Sequence, residues 1–354
     1  MGDFLFYIAI AAVIIVVVLT VSYILSNKIA NLIINSNFDV RYNDNHTLKY
    51  FTVDDFEGLQ AKPIEFKNIN DVTLRGYVYS HEDFKNYKAL MVLAHGLGAG
   101  HLQYTTEINY FAKEGYLVFA YDVTGCNLSD GEKINGLTQA LIDLNSALEF
   151  IDKDPTLSKI PKVLFGHSMG AFAVSNVTEL YKKDIKGIVA LAPFKNEASM
   201  LYEQFASMTN MKFKKVKNLL YKKYKARFNE LVDINTIDSY TNSDVPHLVI
   251  SGDADNIVDI YSNFHEFRSL FEEKANYQFL EVEGRFHRPN ITLEAARYDQ
   301  ETNEELLKYR GEYKGKVPKH VTDEFYANLD YDLLVELDLD VMSTISSFLD
   351  SCLK

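Results

Sequence analysis

Residues 162–170 read KVLFGHSMG, and no other stretch constrains the fold as much. Val163, Leu164 and Phe165 form the short apolar run that a buried strand needs, and Gly166-His167-Ser168-Met169-Gly170 follows at once in the pattern G-x-S-x-G. A chain with this spacing has to turn very tightly from strand into helix. Gly166 and Gly170 lack the Cβ atoms that would collide as the backbone doubles back, and Ser168 takes the strained apex. A serine hydroxyl is a poor nucleophile at its free pKa, so a turn that lifts it out of the sheet edge beside a base serves nucleophilic chemistry. The bland alternative is an ordinary strand-to-helix turn with a solvated serine. The flanking sequence separates the two.

Strand-like runs stand at 64–66, 74–79, 89–94, 116–121, 163–165, 188–192, 247–250 and 277–282. Helical patterns lie between the later ones, as at 137–151, where Leu137, Leu141, Leu144, Leu148 and Ile151 recur at spacings of three and four. Alternation of this kind predicts an α/β domain with a mostly parallel sheet covered on both faces. The first strands lack an intervening helix and should start the sheet antiparallel. Ligands of such sheets gather at the carboxyl ends of the strands.

Each suggestive motif falls at such an end. His95-Gly96-Leu97-Gly98 closes the third strand, and its glycines let backbone N–H groups approach a ligand, as an oxyanion hole requires. The N–H groups of Leu97 and Met169 are the candidate donors, and His95 reads as a structural hydrogen-bonding residue. Asp122 opens the loop 122–131, whose Gly and Ser positions suggest a brace for the elbow with no catalytic role. Asp255, just past the turn begun at Gly252, is the candidate to orient an imidazole and stabilise its charged form. Asp253 and Asp259 are the alternatives. His287 follows the last strand and can reach back to a serine. Ser168, Asp255 and His287 stand in the chain order that α/β-hydrolase sheets use.

The motifs HGLG (95–98), YDVTGCNLSDG (121–131), GHSMG (166–170), GDADNIV (252–258) and GRFH (284–287) resemble the α/β-hydrolase superfamily, in its serine aminopeptidase-like and monoacylglycerol-lipase-like branch. The likeness covers roughly 64–287 and the closing helix. It implies a cofactor-free and metal-free serine hydrolase, with Ser168 as nucleophile, His287 as general base, Asp255 as its orienter, and Leu97 and Met169 as oxyanion donors. A departure from the pattern is the polar segment 289–332, which intervenes before a last helix near Leu333 and would flank the active-site mouth. The insertion 195–245 lies where the superfamily places its cap. Within it Lys212, Lys214, Lys215, Lys217, Lys222, Lys223, Lys225 and Arg227 crowd around Phe213, Val216, Leu219, Leu220 and Phe228. Two readings stand for that cluster: cations pressed against anionic lipid, or a solvated cap face with its apolar side toward the pocket.

The 47% hydrophobic content supports a large core, and part of it sits in one run, 4–25, with no charged residue. Twenty-two helical residues span roughly 33 Å, enough to cross a bilayer's hydrocarbon layer. The absence of a basic stretch before it and of a small-residue cleavage site after it favours a transmembrane anchor over a signal peptide. Asp3 precedes the span while Lys28 and Arg41 follow, which places the bulk of the chain on the cytoplasmic side. The organisation expected is an anchor at 1–28, a juxtamembrane segment at 29–62 that is either a packed extension or a stalk, and a hydrolase domain at 63–354. A net charge of −13 excludes general nucleic-acid binding. Cys126 and Cys352 suggest neither a disulfide framework nor a metal site.

The function expected is hydrolysis of a lipophilic acyl ester such as a monoacylglycerol or lysolipid, through an acyl-enzyme. The partners are that small-molecule acyl substrate and membrane lipid, contacted by the N-terminal helix and the basic cap helix. An aminopeptidase, with Glu203 in the cap as the acid for a substrate's amino terminus, and a thioesterase are the alternatives on the same fold. A membrane-tethered binding protein that has lost turnover is the alternative of another class.

Overall fold

In the computed structural model of the chain, which describes residues 2–43, 48–98, 100–209 and 214–354, strands and helices alternate as the sequence pattern requires. The chain runs through α1 (Gly2–Asn37), β1 (Leu59–Lys67), β2 (Thr73–His81), β3 (Leu90–Ala94), α2 (Thr105–Lys113) and β4 (Leu117–Tyr121). Next come α3 (Thr138–Lys153), β5 (Lys162–His167), α4 (Met169–Asn176) and β6 (Gly187–Leu191). An insertion of α5 (Glu197–Thr209), α6 (Lys214–Phe228) and α7 (Thr236–Asn242) precedes β7 (His247–Gly252), α8 (Phe264–Phe271) and β8 (Tyr277–Val282). The chain closes with α9 (Leu293–Glu312), α10 (Lys319–Ala327), α11 (Tyr331–Leu334) and α12 (Leu339–Cys352).

All eight strands form one sheet in the order β1-β2-β4-β3-β5-β6-β7-β8. β1 pairs antiparallel with β2 and β2 with β4, and every later pairing is parallel, which is the antiparallel start the sequence predicts. Every residue of β3, β4, β5 and β6 is buried, because helices cover both faces and leave no polar side. One face packs on α3 and α4, where Leu137, Leu141, Leu144, Leu148 and Ile151 are all in the core. The other packs on α2 and α12 through Ile108, Phe111, Ile345 and Leu349.

The N-terminal helix does not stop near residue 28. Phe4–Asn37 is long and apolar enough to cross a membrane, a property that anchors and signal sequences share. Beyond the apolar run, Ala30, Ile34 and Phe38 recur every four residues and are buried. Phe38 meets Tyr224 of α6 edge to face at 6.0 Å between ring centroids. The arm that follows is docked, not free. The Arg41 guanidinium donates to the carbonyls of Gly131 (2.7 Å) and Ser129 (2.9 Å), and Tyr42 exchanges backbone hydrogen bonds with Gly125 and Asn127. Of the two readings for the juxtamembrane segment, the packed extension is the one observed for its described residues.

The 195–245 insertion turns its apolar side inward. Val216, Leu219, Leu220, Tyr224 and Phe228 of α6 are buried in the cluster that includes Ala30, Ile34 and Phe38. Lys212 and Phe213 lie outside the described residues. Glu197, at the start of α5, accepts from the Leu137 and Thr138 N–H groups (2.8 and 3.0 Å) and from the Thr138 hydroxyl (2.7 Å), and so fastens the insertion to the beginning of α3.

The segment after His287 is a closed excursion. Ile291 bridges Leu337, the Thr292 N–H donates to Glu336 O, the Asp338 N–H donates to Asn290 O, and Arg285 pairs with Asp338 at 2.6 Å. The chain therefore leaves and returns at one point. The last helix begins at Leu339, later than the sequence pattern places it, because 331–334 forms the separate short helix α11.

Phe38→Ala should destabilise the chain by about 3–5 kcal/mol, the usual cost of emptying a buried aromatic site. Urea unfolding of the detergent-solubilised protein measures it; a change near zero would return the arm to the status of a stalk.

Candidate active site

The elbow forms as its sequence demands. Ser168 sits between β5 and α4 at φ 54° and ψ −114°, a left-handed conformation strained for a residue with a side chain. Its N–H donates to Leu191 O at 2.8 Å, which ties the apex to β6. A Cβ on Gly170 would lie 1.9 Å from Ala94 O, and one on Gly166 would lie 2.4 Å from Gly170 O. No side chain fits at either position.

The His287 ring lies against Asp255, with Nδ1 donating to Oδ2 at 2.9 Å and to Oδ1 at 3.1 Å. The Ile257 and Val258 N–H groups also donate to Asp255 Oδ1, at 2.8 and 3.0 Å. Burial by itself would raise the Asp255 carboxyl, but the His287 ring and these N–H groups outweigh it and hold the group below the usual carboxylate range. Asp253 instead accepts from the Gly284 N–H, and Asp259 from the Ser262 N–H, so neither alternative carboxylate faces His287. Ser168 and His287 line one cavity, and among the described residues no hydrogen bond joins Ser168 Oγ to the ring. Contacts of this kind often tighten only when substrate is bound.

Leu97 lines the same cavity, and Met169, as the first residue of α4, has an N–H without an intrahelical acceptor. His95 is fully buried; its Nδ1 donates to Gly96 O at 2.8 Å and its Nε2 accepts from the Val123 N–H at 3.0 Å. It is a structural residue of the loop. Asp122 accepts from the backbone and ring of His101, both at 2.8 Å, and braces the loop as the sequence suggests.

Two residues of the site escape the sequence reading. The Tyr104 hydroxyl accepts from the Gly96 N–H at 3.0 Å and donates to His167 Nδ1 at 2.7 Å, while His167 Nε2 donates to His287 O at 2.9 Å. This chain links the 95–98 loop to the loop that carries His287, and it requires a neutral His167. Burial, with the nearby His287, depresses the His167 pKa to about 3. His167 occupies the variable position of G-x-S-x-G, so no pattern marks it. Tyr104 carries no signal at all.

The cavity has a volume of about 300 Å³, at the small end of ligand pockets. Its walls correct the expected cap. No described residue of 195–245 lines it; residues 48–51 of the N-terminal arm and Asp299, Tyr331, Leu334 and Val335 of the closing excursion do. The two walls touch, for the Lys49 backbone hydrogen-bonds the Tyr331 hydroxyl. Arg288, beside the candidate base, donates to Leu334 O at 3.1 Å and to the buried Glu107 at 3.3 Å, holding α11 over the mouth. Glu203, the candidate for a substrate amino terminus, is bonded to Ser262 (3.1 Å) and is absent from the lining. The one carboxylate among the described lining residues is Asp299, which burial holds above the usual carboxylate range.

Residues 85–238 match the family described as serine aminopeptidase, S33. The match spans less than half of the chain, and the sheet order and the elbow agree with it. The chain has the α/β-hydrolase fold. Among solved structures, an esterase of Pyrococcus furiosus, Pf2001, is similar in two crystal forms. The first is 21% identical with a TM-score of 0.53, covering 78% of this chain and 99% of that one. The second is 18% identical with a TM-score of 0.54, covering 76% and 98%. No curated protein matches the sequence. The family match and the esterase-like fold support a serine hydrolase in the general sense.

The buried titratable groups predict opposite responses to acid. His167 stays neutral in the folded chain down to about pH 3, whereas its unfolded counterpart takes up a proton near 6.5. The unfolded state thus binds more protons below 6.5, and His167 costs up to about 1.4 kcal/mol per pH unit on acidification. Glu197, pushed up to about 7 by burial, works in the other direction: between 4.5 and 7 the folded state binds the extra proton. Between pH 7 and pH 5, His167→Gln should lose less stability than wild type and Glu197→Gln more, as read by urea unfolding at both pH values. Identical pH profiles for all three proteins would contradict this.

Proposed function

We propose that this protein is a membrane-anchored serine esterase that cleaves a lipophilic carboxylic ester through an acyl-enzyme. The observation that carries the reading is the Asp255–His287 hydrogen bond at 2.9 Å opening onto the cavity where the strained Ser168 stands. With the imidazole held in one tautomer by Asp255, the free Nε2 takes the Ser168 proton as Oγ attacks the acyl carbonyl. The carbonyl oxygen becomes an oxyanion facing the Leu97 and Met169 N–H groups. His287 passes its proton to the departing alkoxide, leaving the acyl group on Ser168. Water, deprotonated by His287, then releases the acid. Leu48, Phe51, Leu97, Leu102, Leu334 and Val335 make much of the wall apolar, which suits an acyl chain. The anchor is the helix through residues 4–25, with the domain on the cytoplasmic side.

A second reading, an aminopeptidase, draws on the matched family and on Asp299, which rather than Glu203 could receive a substrate ammonium group. Its raised pKa disfavours the charged form that such a partner needs, so the ester reading is the stronger.

Ser168→Ala should abolish labelling by a fluorophosphonate and hydrolysis of p-nitrophenyl esters, and Asp255→Asn should lower kcat by roughly 10⁴-fold while leaving the fold intact. A labelled Ser168→Ala variant would refute the nucleophile. Across p-nitrophenyl esters of rising chain length and aminoacyl p-nitroanilides, kcat/KM is expected to favour the esters. A preference for the anilides would select the peptidase.

A further inference from the structure

We infer that the first turn of α6, with Lys214 and Lys217, is a contact surface for anionic lipid headgroups, placed at the level where α1 leaves the bilayer. This rests on the reading of α1 as an anchor. The register of the two helices carries it. Lys215 Nζ donates to Ser22 Oγ at 3.2 Å, Tyr224 meets the Phe38 ring, and Arg227 pairs with Asp39 at 2.8 Å. From 22 to 39 along the first segment, α6 advances from 215 to 227, so the two helices run side by side in the same direction. The N-terminus of α6 therefore stands level with Ser22.

That level is the edge of the apolar span. Residues 4–21 are exposed without interruption, and Ser22 is the first to be partly covered by the domain, one turn before the apolar run ends at Leu25. The first turn of α6 meets the zone where headgroups lie.

The charges on α6 are sorted along the same axis. At its far end Lys225 pairs with Glu230 and Asp233, and Arg227 with Asp39. At the near end Lys214 and Lys217 are exposed, and among the described residues no carboxylate pairs with them. Lys222 and Lys223 also have no carboxylate partner among the described residues but sit roughly 7–14 Å further along α6 from the bilayer, about one Debye length at ordinary salt. In a chain of net charge −13, which an anionic surface would otherwise repel, cations left free at the membrane end point to lipid phosphates as their counterions. The buried apolar face of α6 holds them there, since it packs on the end of α1 and the core.

The test uses the full chain in phosphatidylcholine vesicles with and without phosphatidylglycerol, carrying a fluorophore on Asn218→Cys. Quenching by headgroup spin-labelled lipid should strengthen when phosphatidylglycerol is present, and that gain should vanish in about 1 M salt, where the Debye length is about 3 Å. Lys214→Glu with Lys217→Glu should abolish the gain; Lys222→Glu with Lys223→Glu should leave most of it. A chain that floats with the vesicles but shows the same quenching in both bilayers overturns the proposal and leaves the anchor standing. Equal loss in both double variants reduces it to an effect of net charge and overturns it too. A chain that does not float removes the anchor, and the proposal falls with it.

Discussion

Backbone meets backbone where β3 ends and α4 begins, and the site depends on that contact. Only glycine at 170 lets the two approach, and the approach sets the loop after β3 beside the elbow. The same device recurs at the far side of the site. A Cβ on Gly252 would lie 2.2 Å from Arg285 O, so the turn that carries Asp255 sits directly on the loop that carries His287. Three chain segments that are distant in sequence are thus locked by the absence of side chains. The Ser168 conformation costs of order 1–3 kcal/mol, and a surround this tight sustains it.

Behind these contacts lies a set of buried polar groups that hold the loops at the carboxyl edge of the sheet. Asp143, fully buried, accepts from the Thr124 N–H at 2.7 Å, from Asn68 at 2.7 Å and from Gln139 at 2.9 Å. Burial still keeps its carboxyl above the usual range. Asp122 does comparable work for His101 and the Leu128 N–H. Each carboxylate fixes a loop that carries no regular hydrogen-bond ladder of its own, and removal of any partner would leave a buried group unsatisfied.

Of the two insertions, only the one between β6 and β7 departs from the role that its position suggests. The one between β6 and β7 packs on the N-terminal helix, and the one after His287 roofs the cavity. The arm leading from α1 forms the opposite wall before it enters β1. The chain that leaves α1 therefore also supplies a wall of the cavity, at residues 48–51. A change in how α1 sits has a covalent path to the wall formed by Lys49, Tyr50 and Phe51.

Local chemistry made much of this legible in advance. The strand runs, the glycines of the elbow, and the placement of Asp255 and His287 after their strands follow from sterics that act over a few residues, and the structure brings Asp255 and His287 into contact. The apolar run at 4–25 follows from composition alone. Tertiary structure alone decided what depends on surfaces meeting across long separations. Whether Ala30, Ile34 and Phe38 pack or swing free depends on the complementary face of α6. Which insertion covers the cavity depends on the Ile291–Leu337 closure and on Arg288 reaching Glu107. His167 and Tyr104 become partners only because β5 and the loop before α2 end side by side. Short-range geometry is written residue by residue; the pairing of distant faces is a property of the packed chain.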